Sequence, residues 1–188
     1  MTHGWVLAGV AVLTLSAGTP VRGWVTVLGG GLAEDCSKAA MKDLPAQDDP
    51  ALCTQALENK DLDIYDTAAT YVNRGVIRLR LGDFAQAGED FDVAVRTKPD
   101  LAEAYVNRGA VSLAQRRYAD GLADTNRALK LGVREPEKAY YNRAIAYEAM
   151  NQMKAAYLDY QMALQLKPDW EDPKRQLARF TVSRKLGS

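Results

Sequence analysis

The sequence predicts an all-α solenoid of stacked helix-turn-helix units, and three observations carry that prediction. Tyr71-Val72-Asn73-Arg74-Gly75 recurs as Tyr105-Val106-Asn107-Arg108-Gly109 and again as Tyr140-Tyr141-Asn142-Arg143-Ala144, at spacings of 34 and 35 residues. Deeper in each unit the recurrence continues as Ala87, Gly121 and Ala156, as Phe91, Thr125 and Tyr160, and as Ala94, Ala128 and Ala163. Pro99 and Pro168 close the first and third units, whereas the second has Val133 there and reaches Pro136 three residues later, which accounts for the extra residue. A unit of this length cannot bury its apolar face alone and must stack on its neighbours.

The chain opens with an uncharged apolar run of 13 residues, Trp5 to Ala17, the length of a signal-peptide core and short for a membrane span. A second apolar stretch, Val21 to Ala33, follows Arg22 and ends in the small-x-small pattern Gly31-Leu32-Ala33. Cleavage after Ala17 or Gly18, or after Ala33, fits this pattern. The later position is favoured, because polar sequence begins at Glu34 and Gly29 to Gly31 would interrupt a helix. Residues 1–33 are therefore read as a signal peptide or, left uncleaved, as an N-terminal membrane anchor, with a buried core helix as a third reading. Cys36 is not a lipidation site, since Glu34-Asp35 stands where small residues are required.

Residues 34–66 are expected to form a helical hairpin that caps the first repeat. A short helix runs from Glu34 to about Leu44, and Asp49-Pro50 starts a second, Ala51 to Lys60. Cys36 and Cys53, the chain's two cysteines, fall one in each helix. In an exported protein an even pair suggests a disulfide, and closing this loop of 17 residues would stabilise by about 3 kcal/mol. Two buried free thiols are the alternative if the chain is cytosolic. A redox pair is disfavoured, because Cys-x-x-Cys is absent.

The repeats occupy 68–101, 102–136 and 137–169. In the first, Tyr71, Val72, Gly75, Val76 and Leu79 make the apolar stripe of one helix, and Phe84, Ala87, Phe91, Ala94 and Val95 that of the next. Gly82-Asp83 supplies a stop followed by an N-cap. The Gly82 register holds Arg116 and Asn151 in the other units. Arg adopts a left-handed turn less readily than Gly or Asn, so a looser second turn is expected. Residues 170–188 are a capping helix, Trp170 to Lys185, and a tail.

With an aromatic early in helix one, Gly or Ala four residues on, Ala-x3-aromatic-x2-Ala in helix two and a closing Pro, the region from Ala68 to Pro168 resembles the tetratricopeptide repeat. The resemblance implies a right-handed superhelix whose first helices line a concave groove. Asn73, Asn107 and Asn142 stand at a register that commonly faces it, where an amide offers a peptide backbone both a donor and an acceptor. Hydrogen bonding to neighbouring helices is the competing role. Val72, Val76, Val106, Ala110, Lys138, Tyr141 and Ile145 are the other expected groove residues. Family members that grip acidic chaperone tails use a clamp of Lys, Asn and Arg; Asn107 and Lys138 match it, but Val72, Val76 and Asn142 do not, so no such grip is expected.

Each unit also carries an arginine and an aspartate 16 residues apart: Arg74 with Asp90, Arg108 with Asp124 and Arg143 with Asp159. A constant offset between opposite charges suggests salt bridges within a unit or to the next. The alternative is that the arginines face a ligand carboxylate. Lys plus Arg is 24 and Asp plus Glu is 24, so the charge balance lacks a nucleic-acid footprint. His3, in the leader, is the sole histidine, and no phosphate loop, nucleophile elbow or metal-ligand cluster stands out.

The sequence thus points to a non-enzymatic, cofactor-free adaptor that binds a protein or extended peptide, with membrane contact only if the leader is retained. A membrane-tethered structural subunit of an envelope assembly is the alternative function. Export, to a periplasm, is the expected localisation; a misassigned start would make the chain cytoplasmic.

Overall fold

The computed structural model describes residues 25–27, 31–58 and 61–180, and nine helices lie among them. The leader core Trp5 to Ala17, the cleavage position at Ala17 or Gly18 and tail residues 181–188 lie outside the described residues. The capping hairpin is α1 (Leu32–Met41) and α2 (Asp49–Glu58). Three further pairs follow: α3 (Ile64–Arg80) with α4 (Phe84–Thr97), α5 (Ala102–Ala114) with α6 (Tyr118–Leu131), and α7 (Pro136–Ala149) with α8 (Met153–Leu166). The short α9 (Glu171–Leu177) ends the array, and each pair packs on the next. No described helix is long and apolar enough to cross a membrane.

The boundaries differ from the sequence expectation at both ends of α1, which stops at Met41 and not near Leu44, and in α2 and α9. α1 starts at Leu32, so Ala33, 2 % exposed, is built into the apolar core shared with α3. α2 starts at Asp49, whose carboxylate accepts the Ala46 N–H at 2.7 Å and pairs with Lys42 at 2.8 Å. α9 stops at Leu177, eight residues short of Lys185. The hairpin is closed by the Cys36–Cys53 disulfide, with Cα atoms 4.7 Å apart. Ala39, Ala40 and Ile77 pack around it.

Small residues permit the close pairing of helices inside each unit. A Cβ on Gly75 would meet the Phe91 ring at 2.6 Å, and one on Gly121 would meet Leu113 at 2.7 Å. Phe91 and Tyr160 are the largest fully buried side chains, and they occupy the same register of the first and third units.

The helix-helix turns are alike in all three units, which corrects the expectation of a looser second turn. Gly82, Arg116 and Asn151 have φ of 85°, 61° and 59°. The residue after each donates its N–H to a carbonyl five positions back: Asp83 to Arg78 at 2.9 Å, Arg117 to Ser112 and Gln152 to Tyr147 at 2.8 Å. Stacking on both sides imposes the turn on Arg116 against its own preference. Replacing Arg116 by Gly should therefore stabilise the fold by about 0.5–1 kcal/mol. A higher midpoint of urea unfolding would report it, and Arg116→Ala, which keeps the Cβ, should give no gain.

Candidate peptide-binding groove

The first helices of successive units, α3, α5 and α7, contact one another in order, so equivalent positions on them form one face. This face carries Val72, Asn73 and Val76 from α3, Val106, Asn107 and Ala110 from α5, and Lys138, Tyr141, Asn142 and Ile145 from α7. Most of these side chains are buried; Ile145 is half-buried. Two coverings account for it at the ends of the face. Val72 and Val76 share an apolar cluster with Val25, Val27 and Ala33. At the other end Trp170 lies over Tyr141, with ring centroids 4.8 Å apart.

The three asparagines have different partners. The Asn73 amide meets the backbone of Val25 with two hydrogen bonds, its Oδ1 accepting the Val25 N–H and its Nδ2 donating to the Val25 carbonyl, both at 2.8 Å. Asn107 donates through Nδ2 to the Glu103 carbonyl at 2.9 Å, one turn back on its own helix. Asn142 is 7 % exposed, and its buried Nδ2 has no hydrogen-bond partner among the described residues.

Arginine one position later turns toward the second helix of its unit, which the 100° step of a helix allows. Arg74 holds Asp90 at 2.7 Å, Arg108 holds Asp124 at 2.7 Å and Arg143 holds Asp159 at 2.6 Å. Each also reaches the preceding unit through Nη1: Arg74 to Thr54 at 3.0 Å, Arg108 to Asp92 and Arg143 to Asn126, both at 2.9 Å. Each guanidinium further lies over the tyrosine three residues before it, Tyr71, Tyr105 or Tyr140, at 5.1–5.5 Å. Arg78 adds a second cation to Asp90 at 2.6 Å. The aspartate hydrogen bonds, outweighing burial, hold the Arg108 and Arg143 guanidiniums above their ordinary range. With both arms engaged, the arginines leave no free fork for a ligand carboxylate.

At the C-terminal end, burial pushes the Tyr141 phenol up to about 12, and the Asp172 charge adds to it. Tyr160 is raised by burial and by Glu148, to which its hydroxyl donates at 2.9 Å. Glu148 in turn pairs with Arg179 at 2.6 Å. Lys138 pairs with Glu135, and burial is the larger influence, lowering its ammonium. Among the described residues no cluster of His, Cys, Asp or Glu could hold a metal ion.

Sequence reasoning missed four contributors to this face. Val25 and Val27 looked like leader, although their alternation around Thr26 is that of a half-buried extended segment. Ser37, which donates to the Val25 carbonyl at 3.3 Å, carried no signal of its own. Trp170 was read only as part of a cap.

A family model of the tetratricopeptide repeat matches residues 137–169. This segment is a tetratricopeptide repeat. The described helices form the right-handed solenoid of such repeats. MamA (residue 41 to the end) from Desulfovibrio magneticus RS-1 aligns with a TM-score of 0.63 at 20 % identity, over 79 % of this chain and 82 % of that one. The first such domain of Spaghetti (RPAP3), bound to the HSP90 peptide SRMEEVD, aligns at 0.58 with 22 % identity, over 64 % and 94 %. The second such domain of human RPAP3, in complex with the HSP70 peptide SGPTIEEVD, aligns at 0.57 with 20 % identity, over 62 % and 97 %. No curated protein matches the chain.

Two outcomes follow from this geometry. Arg108→Ala strands the buried Asp124 carboxylate and severs the tie to Asp92, and should cost about 2–3 kcal/mol in chemical unfolding. Asp92→Ala, which loses an exposed partner, should cost under about 1 kcal/mol. For Tyr141 the sign is fixed by a folded-state value above the ordinary 10.0: the folded chain retains the phenol proton after the unfolded chain has lost it. Stability should be lost as pH rises from about 10 through about 12, by roughly 2–3 kcal/mol. Tyr141→Phe should flatten that slope in unfolding midpoints taken across the range.

Proposed function

We propose that the chain is a non-catalytic adaptor that binds an extended protein segment along the face of α3, α5 and α7. The observation that carries this reading is the pair of hydrogen bonds between the Asn73 amide and the Val25 backbone. Peptide groups are common to every protein, so an amide that reads them needs little side-chain information from its ligand. Asn142, at the same register, keeps a buried donor that a passing carbonyl would satisfy. That the RPAP3 domains are bound to peptides supports groove binding as a use of this fold. An acidic tail is a poor fit here: Val72 and Val76 are apolar, and Lys138 is already paired with Glu135.

Export to an oxidising compartment accords with the Cys36–Cys53 bridge. A second reading, a structural subunit held through its outer surface, draws on Leu158, Met162 and Leu166 of α8, which are 48 %, 37 % and 47 % exposed at one-turn spacing.

Selection of extended peptides from a displayed library should yield binders whose affinity falls about tenfold for Asn142→Ala, at an unchanged melting temperature. Binders indifferent to Asn142 and Asn107 but lost on Leu158→Asp would move the function to the outer surface.

A further inference from the structure

The Asn73 end of this face already holds a piece of chain. Val25 makes three hydrogen bonds through its peptide groups: its N–H donates to Asn73 Oδ1, and its carbonyl accepts from Asn73 Nδ2 and from the Ser37 hydroxyl. Val25 is fully buried and Val27 is 7 % exposed, whereas Thr26 between them is open to solvent. In an extended segment alternate side chains point to opposite sides. Two valines thus enter the apolar cluster of Val72, Val76 and Ala33 while the intervening residue faces out.

The two bonds at Asn73 copy those that facing residues exchange in an antiparallel sheet, and every residue except proline can make them. Asn73 is fully buried, so without a bound backbone its donor and acceptor would both be stranded. Asn142 exhibits such a donor at the equivalent place, without a partner among the described residues.

We propose that the Asn73 cradle is a binding site for an extended segment with small β-branched apolar residues two positions apart, and that Val25 to Val27 is its resident occupant, which a partner segment of the same chemistry displaces. The inference rests on the peptide-groove reading and adds to it the ligand's pattern and a competitor in cis. An occupied site lowers apparent affinity by the fraction of molecules in which it is open. Loosening the occupant therefore increases binding in trans.

The test uses the full chain, its Val25→Asp/Val27→Asp variant, and a fluorescein-labelled peptide of the sequence Gly-Trp-Val-Thr-Val-Leu, followed by anisotropy. The double variant should bind this peptide at least about tenfold more tightly than the unaltered chain. A peptide with Pro in place of its first Val should not bind. In the unaltered chain, Asn73→Ala should abolish hydrogen-exchange protection at the Val25 amide while the amides of α3 and α4 keep theirs.

A double variant that stays helical by circular dichroism and binds no better overturns the resident occupant. So does loss of its helical signal, which would make the two valines part of the core. Equal binding to both chains, abolished by Asn142→Ala, would overturn the occupant and leave the groove reading standing. No binding by a folded double variant would overturn the Asn73 cradle as a peptide site.

Discussion

The stack depends on the arginine that follows each groove asparagine. A single guanidinium closes its own unit through an aspartate on the second helix, reaches the second helix of the unit before, and covers a tyrosine one turn away. Hydrophobic burial alone would allow helix pairs to slide or rotate against each other, because it is non-directional. A planar fork with fixed donor directions does not. Since Arg74, Arg108 and Arg143 occupy the same place in successive units, the same kind of tie joins each unit to the one before it.

That constraint determines what the neighbouring position can do. With arginine committed to the second helix of its unit, the residue before it points elsewhere, and an amide there is free to vary its partner. The three asparagines use this freedom differently: a foreign stretch of backbone, the helix's own carbonyl, and no described partner. Identity at the level of the motif is therefore compatible with diversity at the level of contacts. One dipeptide separates a residue that ties the units together from a residue whose contacts differ from unit to unit.

Much of this could be read from the residues. The period was visible because each unit repeats the same packing problem, so Tyr, Gly or Ala, and the Ala-x3-aromatic spacing return together. The Arg-to-Asp offset was visible because it never varies. The second arm of each arginine was not, since its acceptors are Thr54, Asp92 and Asn126, three residue types at three different offsets. The strained turn at Arg116 ran against local preference because stacking on both sides overrides it. The packing of Val25 to Val27 on Asn73 eluded a reading based on hydropathy, since apolar composition says nothing of which amide, here 48 residues away, an extended segment meets.

The disulfide gives the array a direction. In a linear stack each member is stabilised mainly by its two neighbours, so openings start where a neighbour is missing. The first member is sutured across its two helices by Cys36 and Cys53, whereas the last is covered by seven-residue α9 and the pair of Glu148 with Arg179. Fraying is thereby confined to one terminus. A molecule pulled or digested from its C-terminal side would come apart stepwise towards the covalent end, with α1 and α2 as the last structured remnant.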